Sequence, residues 1–381
     1  MTSLTKNSGG GSNKGRRVCV VGGGLGGLAA ALAFARSGAQ VQVFEQAPQI
    51  TEVGAGIQVT PNGARVLAAL GLDDQLAAQS IVATAVEPMD AVSGQPVTRF
   101  DLSHLDGPPY RFFHRAALIS LLMAGCAAAG VQIHTGARIE GDLPDGDLII
   151  GAEGVKSQIR ARLNGADDPF FTGQVAWRAV VDLPDADPVA RIWMAPRRHV
   201  VTYPLPGGRL NIVAVQERKQ WAAEGWNHAD DAGNLRQAYR GLSGRLRGIL
   251  EQVEDVSLWG LFRHPVAPVW HQGNIAILGD AAHPTLPFLA QGANLAFEDA
   301  YVLARTCDGT DDIATALATY QTLRRARVQR AISTANANAT KYHLSGVSRR
   351  VAHLGLRGMG TVAPNAFLGR LDWLYGYDVT A

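Results

Sequence analysis

The chain has 381 residues, of which 47% are hydrophobic and 18% are charged, and its formal net charge is +2. This length and composition predict a soluble protein of two or three structural units, and the dispersed Lys and Arg residues argue against a nucleic-acid-binding surface. No run of 18 or more residues is free of polar breaks, so we expect no membrane span and a cytoplasmic location.

The first 46 residues predict a leader followed by a strand–helix–strand unit. Residues 1–15 are polar and rich in Gly and Ser, which is typical of a flexible leader. The apolar run RVCVV (17–21) predicts a strand, and LGGLAAALAFARSG (25–38) predicts a helix with Gly38 at its C-cap. A second strand follows at AQVQVFEQ (39–46). The helix of this βαβ unit begins inside a run of glycines.

That run contains Gly22, Gly24 and Gly27, which match the pattern G-x-G-x-x-G. The first glycine permits a tight turn, the second lets a pyrophosphate approach the backbone, and the third lets helix and strand pack closely. Glu45 ends the second strand, where a carboxylate can accept both ribose hydroxyls. The motif indicates a dinucleotide, either FAD or NAD. No second motif of this spacing occurs downstream, which disfavours an enzyme with two separate dinucleotide folds.

The rest of the chain predicts helices, then short strands, then helices again. Between 170 and 270, apolar runs broken by Pro and Gly predict a β-rich unit with one helical insert at 233–253. The other predicted segments are helices at 65–72 and 115–130, strands at 147–154, 176–183, 191–195, 199–205, 210–216 and 274–283, and helices at 294–307 and 315–340.

The segment ILGDAAHPTLPFLAQGANLAFEDA (277–300) carries a second signature. A predicted strand ends at Gly279 and Asp280, a loop with two prolines follows, and Gly292 opens a helix. An aspartate at a strand end can accept a polyol hydroxyl, and a helix N-terminus can hold developing negative charge. A flavin needs both, because it has a ribityl chain and a ring that becomes anionic when reduced.

With these motifs, the chain resembles the single-component FAD-dependent aromatic hydroxylases of the p-hydroxybenzoate hydroxylase fold. It is similar in particular to the branch with salicylate, 3-hydroxybenzoate and 6-hydroxynicotinate hydroxylases, through EVGAGIQVTPNGARVLAALGL (52–72), LGDAAHPTLPFLAQGAN (278–294) and RLDWLYGYD (370–378). The resemblance implies an α/β fold: a Rossmann-like FAD-binding domain with an inserted β-sheet substrate domain and C-terminal helices. The implied boundaries are 16–80, 100–168 and 271–330 for the FAD-binding domain, 81–99 and 169–270 for the substrate domain, and 331–381 for the C-terminal helical segment.

The resemblance also implies which residues contact FAD. Arg115 matches the family arginine on the flavin side, Asp280 would bind the ribityl chain, and Pro287 would lie by the ring. The glutamate at 153 stands where the family usually has aspartate. The full set is Gly22, Gly24, Gly27, Glu45, Arg115, Glu153, Asp280, Pro287, Gly292, Ala293 and Asn294, the last three through N–H groups at the flavin N1/C2 carbonyl edge.

His199 and Tyr203, in RRHVVTYPLPGG, are the predicted catalytic pair. Residues four apart in a strand point to the same face, and histidine is the natural acid–base group near neutral pH. Related hydroxylases have a His and a Tyr at matching positions, and the alternative is a partly buried His beside a packed Tyr. Further substrate-binding candidates are Gln58, Gln291 and Phe288, although the two glutamines could instead stabilise their loops.

The resemblance implies a monooxygenase in which NADH or NADPH reduces bound FAD. A flavin hydroperoxide, formed with O2, would then give one oxygen atom to a hydroxylated aromatic acid of hydroxybenzoate or hydroxypyridine type. The expected partners are this small aromatic substrate and O2, and the expected assembly is a monomer or homodimer. Three alternatives stay open: an FAD monooxygenase on a non-phenolic substrate, such as an epoxidase or antibiotic-modifying enzyme; a flavin reductase or oxidase without oxygen insertion; and a non-catalytic FAD-binding protein.

Overall fold

The computed structural model describes residues 12–50, 55–166, 169–219, 228–362 and 369–381, so most of the predicted leader lies outside the described residues. The described strands form three sheets. The strands are β1 (Arg17–Val21), β2 (Gln40–Glu45), β3 (Gly56–Val59), β4 (Ile81–Val82), β5 (Ala85–Asp90), β6 (Phe100–Asp101), β7 (Arg111–His114), β8 (Gln132–Thr135), β9 (Leu148–Gly151), β10 (Phe170–Asp182), β11 (Val189–Ala195), β12 (Arg198–Leu205), β13 (Arg209–Glu217), β14 (His228–Asp231), β15 (Asp255–Arg263), β16 (His271–Gln272) and β17 (Ile275–Ile277).

Helices cover the sheets and close the chain. The helices are α1 (Leu25–Arg36), α2 (Pro61–Ala69), α3 (Asp73–Ala78), α4 (Arg115–Ala128), α5 (Gln158–Asn164), α6 (Ala232–Tyr239), α7 (Gly244–Leu250), α8 (Gly292–Asp308), α9 (Ile313–Tyr342), α10 (Gly346–Val362) and α11 (Asp372–Tyr375). Short 3-10 turns occupy Leu102–His104, Gly154–Lys156 and Gly279–Ala281.

Six strands form the sheet that carries the glycine motif, in the order β16-β17-β9-β1-β2-β8. β16 runs antiparallel to β17, and the other pairs are parallel. β1 and β9 lie at the centre, where Val18 pairs with Leu148. Both strands are apolar and almost fully buried, as expected inside a parallel sheet covered on both faces. The predicted α/β fold is confirmed.

Helix α1 connects β1 to β2 and is buried along most of its length. Its alanines and leucines face α4 and α8 as well as the sheet, which explains why the segment lacks a polar side. The helix ends at Arg36, and Gly38 follows the C-cap Ser37 with a φ of +94°. Glycine adopts this left-handed conformation at little steric cost, so the chain can turn there into β2.

Eight strands form the second sheet, in the order β14-β15-β10-β13-β12-β11-β5-β6. Neighbours are antiparallel except β11 and β5, which are parallel. β12 and β13 pair His199 with Val215 and Tyr203 with Asn211. β5 and β6 come from an early part of the chain and complete the sheet at one end. The domain boundaries stated above remain a prediction.

The helical insert differs from its prediction. Instead of one helix over 233–253, the chain forms α6 and α7, separated by residues 240–243. The Ser243 hydroxyl accepts a hydrogen bond from Leu246 N at 3.4 Å and so caps α7. A serine followed by a helical run is an N-cap signal, and the neighbouring Gly241 weakens a continuous helix. Both helices pack on the second sheet through residues such as Tyr239 and Leu246.

Helices α8 and α9 are joined by buried ion pairs. Arg324 Nε lies 2.7 Å from Asp299 Oδ1, and Arg324 Nη1 lies 2.6 Å from Glu298 Oε2. Arg327 Nε also contacts Glu298 Oε2, at 2.7 Å. Buried charges are tolerated when they are paired in this way. These pairs fix the helix that opens at Gly292 against the long C-terminal helix.

Three further observations concern metals, membranes and thiols. The described residues include no cluster of His, Cys, Asp and Glu suited to hold a metal ion. Within them, no helix has the combined length and apolar character needed to cross a bilayer. Cys19, Cys126 and Cys307 are buried and form no disulfide. Burial raises the pKa of Cys126 and of Cys307 to about 12, so both thiols stay protonated near neutral pH.

Candidate active site

One cavity is lined by elements from both large sheets. Its walls come from the loop after β1, the corner after β17, the N-terminus of α8, and strands β10, β12, β13 and β15. The carboxyl ends of parallel strands in such a sheet are where ligands bind in open α/β folds. Several residues predicted for cofactor and for substrate, among them Gly24, Asp280, His199 and Tyr203, therefore line the same space.

The glycine turn after β1 is dictated by backbone sterics. Gly22 has a φ of +108°, and a Cβ placed there would lie 2.4 Å from Ala152 O. A Cβ on Gly27 would lie only 2.0 Å from Gly22 O. Neither position can hold a side chain unless the backbone moves. The two glycines thus allow α1 to start directly against β1 and β9.

Gly24 is different, because it faces open space. It is the N-cap of α1, no side chain caps the helix there, and nothing lies within 4 Å of a Cβ built on it. Glu45 supports this turn: Gly23 N donates to its Oε2 at 2.7 Å and Ala47 N donates to its Oε1 at 2.8 Å. Each carboxylate oxygen retains acceptor capacity for a hydroxyl. The turn therefore presents an uncapped helix N-terminus beside a fixed carboxylate.

The corner after β17 places Asp280 in the cavity wall. Gly279, with a φ of +57°, starts the turn, and its N–H donates to Asp299 Oδ2 at 3.0 Å. His283 Nε2 contacts the same oxygen at 2.5 Å. Burial raises the pKa of Asp280, while His283 and Arg115 oppose the rise. Asp299 thus holds the corner from behind and leaves Asp280 facing the ligand space.

The N-terminus of α8 forms the neighbouring wall. Pro287, Gly292 and Ala293 line the cavity. A Cβ on Gly292 would lie 2.9 Å from Thr285 Oγ1, so glycine lets the loop fold tightly onto the helix start. The first N–H groups of a helix lack intrahelical partners and attract negative charge. The assignment of this helix start to the flavin edge stays a prediction.

A buried polar network fixes α8 against α2. Asn294 Oδ1 accepts from Thr60 N at 3.0 Å, and Gln291 Nε2 donates to Thr60 Oγ1 at 3.0 Å. Asn62 Nδ2 donates to Gln291 Oε1 at 3.1 Å and to Glu298 Oε1 at 2.6 Å. Both ends of the Gln291 amide are therefore engaged, although the residue lines the cavity. These contacts match the alternative in which Gln291 stabilises its loop.

Arg115 and Glu153 lie in different surroundings. Arg115 begins α4 and lines the cavity. The Glu153 carboxylate instead hydrogen-bonds the Ser157 hydroxyl and accepts from Gln158 N at 3.0 Å. Burial raises the pKa of Glu153, and these hydrogen bonds oppose the rise. The structure does not bring Glu153 into the cavity wall, because its carboxylate caps the N-terminus of α5.

His199 and Tyr203 lie on the same face of β12, and both line the cavity. Their exposed fractions are 1% and 4%, so neither is solvated from outside the protein. Burial raises the pKa of Tyr203, while Arg178 and a hydrogen bond with Gln58 oppose the rise. The Tyr203 hydroxyl is therefore protonated near neutral pH and can donate a hydrogen bond.

Gln58 and Phe288 have separate positions. Gln58 lines the cavity, and its Oε1 accepts a hydrogen bond from the Tyr110 hydroxyl at 2.6 Å. Phe288 packs instead into a small apolar cluster, with its ring centroid 5.5 Å from that of His199. The structure thus places Gln58 beside the ligand space and Phe288 behind the histidine.

The comparison with known families agrees with this geometry. The chain matches the family model described as FAD binding domain over residues 16–148 and 145–335. These segments contain the glycine turn, the Asp280 corner and the start of α8. The chain belongs to this FAD binding domain family.

Two relatives with a named activity and one with a crystal structure are similar to this chain over most of its length. The 3-hydroxybenzoate 6-hydroxylase of Polaromonas naphthalenivorans is 34% identical over 391 residues, which cover 95% of this chain and 96% of that protein. The 6-hydroxynicotinate 3-monooxygenase of Bordetella bronchiseptica is 32% identical over 394 residues, with 96% of each chain covered. The crystal structure of Klebsiella pneumoniae HpxO with FAD and uric acid has a TM-score of 0.82 at 25% identity, covering 94% of this chain and 97% of that one. The predicted resemblance to FAD-dependent aromatic hydroxylases is confirmed.

The residues present fit FAD, the cofactor of the family. A dinucleotide needs unblocked backbone N–H groups for its pyrophosphate, and the open space at Gly24 provides them. Its ribityl chain needs an acceptor, and Asp280 lies in the same wall. Its ring needs positive potential at one edge, and Gly292 and Ala293 present the N-terminus of α8 there. The three features line one cavity.

Sequence reasoning did not assign Trp259, His264 or His343 to this site. Arg178 and His264 line the cavity, and Arg178 stacks over Trp259 with Cζ 4.4 Å from the ring centroid. His343 Nε2 lies 2.7 Å from His199 Nδ1, although the two residues are 144 positions apart. No local pattern around any of these positions marks it as a site residue. Only the packing of distant segments reveals them.

Proposed function

We propose that this chain is an FAD-dependent, NAD(P)H-consuming monooxygenase that inserts one oxygen atom of O2 into a hydroxylated aromatic acid of hydroxybenzoate or hydroxypyridine type. When bound, FAD supplies the electron transfer from nicotinamide to O2 and the oxygen-transfer chemistry. Family membership and the activities of the two related enzymes above support the reaction class. The protein's own residues position the substrate and control its phenolic proton.

On the cofactor side, we assign the pyrophosphate to the turn at Gly22, Gly24 and Gly27, and the adenosine ribose to Glu45. Asp280 accepts from the ribityl chain. Gly292 and Ala293 direct α8 N–H groups at the ring edge that gains charge on reduction. The remaining predicted contacts are Arg115 and Pro287 in the cavity wall, while Asn294 acts through the hydrogen bonds that hold α8 in place.

On the substrate side, we assign His199 as the base that accepts the phenolic proton. An aromatic ring is more easily attacked by an electrophilic oxygen after this proton is lost. Tyr203 and Gln58 orient the phenolic oxygen, since both line the cavity and hydrogen-bond each other. Arg178 and Arg115 provide positive charge in the same wall for the acid's carboxylate and the developing phenolate.

The observation that carries the proposal is the shared cavity. A wall of backbone N–H groups suited to FAD faces a strand whose inward side carries His199 and Tyr203. A flavin reductase needs no acid–base pair buried at that position. Phenol activation needs such a pair, because proton removal must occur beside the ring of the cofactor.

The test is a substrate panel on the FAD-reconstituted protein. Salicylate, 3-hydroxybenzoate, 4-hydroxybenzoate and 6-hydroxynicotinate are each supplied with NADH or NADPH under 18O2. We expect at least one acid to stimulate nicotinamide oxidation and to yield a product heavier by one 18O atom. Peroxide measured in parallel reports uncoupled turnover. The matching benzoate or nicotinate without the hydroxyl group is the control ligand, and it should give no oxygenated product.

Other outcomes would replace the proposal. Nicotinamide oxidation that yields only peroxide with every acid indicates a reductase or oxidase. Oxygenation of a non-phenolic compound that persists in His199→Asn indicates a different substrate class. A protein whose FAD stays oxidised under excess NADH and NADPH with every ligand indicates a non-catalytic flavoprotein.

A further inference from the structure

A line of hydrogen bonds leads from the cavity to the protein surface. His199 Nδ1 lies 2.7 Å from His343 Nε2, and His343 Nδ1 lies 2.8 Å from Glu217 Oε1. Glu217 Oε2 in turn accepts from Arg197 Nε at 3.1 Å. The exposed fraction of the side chain rises from 3% at His343 to 33% at Glu217 and 64% at Arg197. The line therefore begins at a buried residue and ends in solvent.

Glu217 determines where the protons of this line lie. An ionised carboxylate only accepts hydrogen bonds, so His343 must carry its proton on Nδ1. Burial lowers the pKa of His343, although Glu217 opposes the effect, so the ring is neutral near pH 7. Its Nε2 is then an acceptor, and His199 must carry its own proton on Nδ1. This leaves Nε2 of His199 unprotonated, and that atom makes no hydrogen bond within the described part of the chain.

His199 cannot keep a proton that it accepts. Burial lowers its pKa well below the ordinary value, and His343 lowers it further. The surroundings are aromatic: Phe288 and Tyr342 lie with ring centroids 5.5 Å and 5.2 Å from that of His199. The Tyr239 hydroxyl donates to the backbone oxygens of Val215, at 2.7 Å, and of His199, at 3.3 Å, and not to the His199 ring. A buried imidazolium in this environment is costly unless a proton leaves as another arrives.

We propose that His199, His343 and Glu217 form a proton relay that carries the phenolic proton of the substrate from the cavity to solvent. His199 Nε2 takes the proton from the phenol oxygen, and the proton on His199 Nδ1 passes to His343 Nε2. The proton on His343 Nδ1 passes to Glu217, which releases it to water. No net charge accumulates on either imidazole.

The same relay returns a proton when the product forms. The hydroxylated product leaves as a neutral phenol, so one proton must come back to the ring oxygen. Transfer from Glu217 through His343 to His199 supplies it and restores both original tautomers. The relay rests on the proposed function, since it needs a phenolic substrate at His199. In this scheme His343 and Glu217 are positioning residues that act through His199.

The first test uses the resting enzyme and is independent of any substrate. Enzyme labelled with 15N-histidine is assigned with single His→Gln variants, and the imidazole nitrogen shifts report each tautomer. We expect His199 and His343 both to carry hydrogen on Nδ1 at pH 7. In Glu217→Gln this preference should weaken, because an amide can donate as well as accept. Resting His199 protonated on Nε2 would overturn the relay.

The second test measures hydroxylation of an acid that the wild-type enzyme turns over. We expect His343→Ala to lower kcat about tenfold and to change KM little. This loss is smaller than the rate contribution of a group that transfers the proton directly to or from the substrate. The hydroxylation rate of His343→Ala should rise as the pH approaches the pKa of the free phenol, because a substrate that arrives as phenolate needs no relay. Added imidazole should restore rate by filling the vacated space. Glu217→Gln keeps the residue's volume and should show a smaller loss.

His353→Ala is the matched control. Like His343, His353 is buried and lies near a carboxylate; it belongs to α10, and its Nδ1 is 3.6 Å from Asp90 Oδ2. It does not line the cavity, so its removal should leave kcat and the pH profile unchanged. A His343→Ala enzyme with wild-type kcat and pH profile overturns the relay. If His199→Asn is impaired in the same assay, the proposed function survives that failure; if His199→Asn is unimpaired, the assignment of the base fails as well.

Discussion

The glycine turn after β1 and the inward face of β12 both line one cavity, but they are built in different ways. The turn consists of six consecutive residues whose backbone geometry leaves no room for side chains at Gly22 and Gly27. The face of β12 depends on side chains that approach from distant parts of the chain, such as Gln58 and His343. Local sterics determine the first wall, and tertiary packing determines the second.

This contrast has consequences for substitution. A change in the glycine turn acts on the backbone and therefore on folding and cofactor binding together. A change on β12 acts on proton position and substrate orientation while the sheet hydrogen bonds remain. The two walls can thus be separated by measuring stability, flavin content and turnover in the same variants.

The largest effect is expected at Asp299, which supports the Asp280 corner of the cavity. Its carboxylate accepts from Gly279 N and pairs with His283 and Arg324. Asp299→Asn should lower the free energy of unfolding by about 4 kcal/mol, because it breaks a buried ion pair. Urea unfolding monitored by tryptophan fluorescence checks this. The exposed Asp145→Asn, which pairs with Arg17 on the surface, is the control and should change stability little.

Asp299 also predicts an acid dependence. Burial raises its pKa, but His283 and Arg324 outweigh burial and hold the pKa at about 2, below the ordinary 3.8. Its stabilisation is therefore complete above about pH 4 and is lost as pH falls through about 2. Unfolding free energies measured between pH 5 and pH 2 should fall less steeply in Asp299→Asn. An equal slope in both proteins would contradict the assignment.

Gly27→Ala should break the turn itself. The new Cβ would lie 2.0 Å from Gly22 O, so α1 must move away from β1. We expect a loss of about 3 kcal/mol of stability, at the upper end of overpacking costs, together with loss of bound flavin. Differential scanning calorimetry and the visible flavin spectrum report the two effects. Retention of full stability and flavin would show that the turn tolerates a shifted helix.

His199→Asn should leave the fold intact and remove the base. The amide can still donate to His343, but no atom replaces Nε2 at the cavity. We expect kcat for hydroxylation to fall about 100-fold, within the range for a positioned acid–base group. Flavin content and melting temperature should stay at wild-type values. Product formation, rather than nicotinamide oxidation alone, is the required measurement, because uncoupled turnover can continue.

The smallest effect is expected for Gly24→Ala. This variant separates Gly24, where a Cβ has room, from Gly22 and Gly27, where it does not. Nothing lies within 4 Å of a Cβ at this position, and its φ of −74° suits alanine. Stability of the apoprotein should therefore be unchanged. FAD affinity should fall about tenfold, the equivalent of one weakened phosphate hydrogen bond. Fluorescence titration of the apoprotein with FAD measures it, and unchanged affinity would place the pyrophosphate elsewhere.

The sequence predicted much of the cofactor wall and less of the substrate wall. G-x-G-x-x-G between a strand and a helix indicates its own geometry, because residues at short spacing share one turn. The His199–Tyr203 spacing indicated one face of a strand, and both residues do line a cavity. The roles of Glu153 and Gln291 were harder to predict, since their hydrogen-bond partners could not be known. The glutamate caps α5, and the glutamine joins the network around Thr60.

By itself, the sequence determined the α/β class, the βαβ unit at the N-terminus and the family. These follow from periodicity, glycine spacing and short motifs, all of which act within one or two elements. Only the tertiary structure decided that His343 and Glu217 continue the line from His199, and that Arg178 faces the same cavity. Contacts of this kind join residues tens to hundreds of positions apart. Their partners are set by how helices and sheets pack, which no local pattern records.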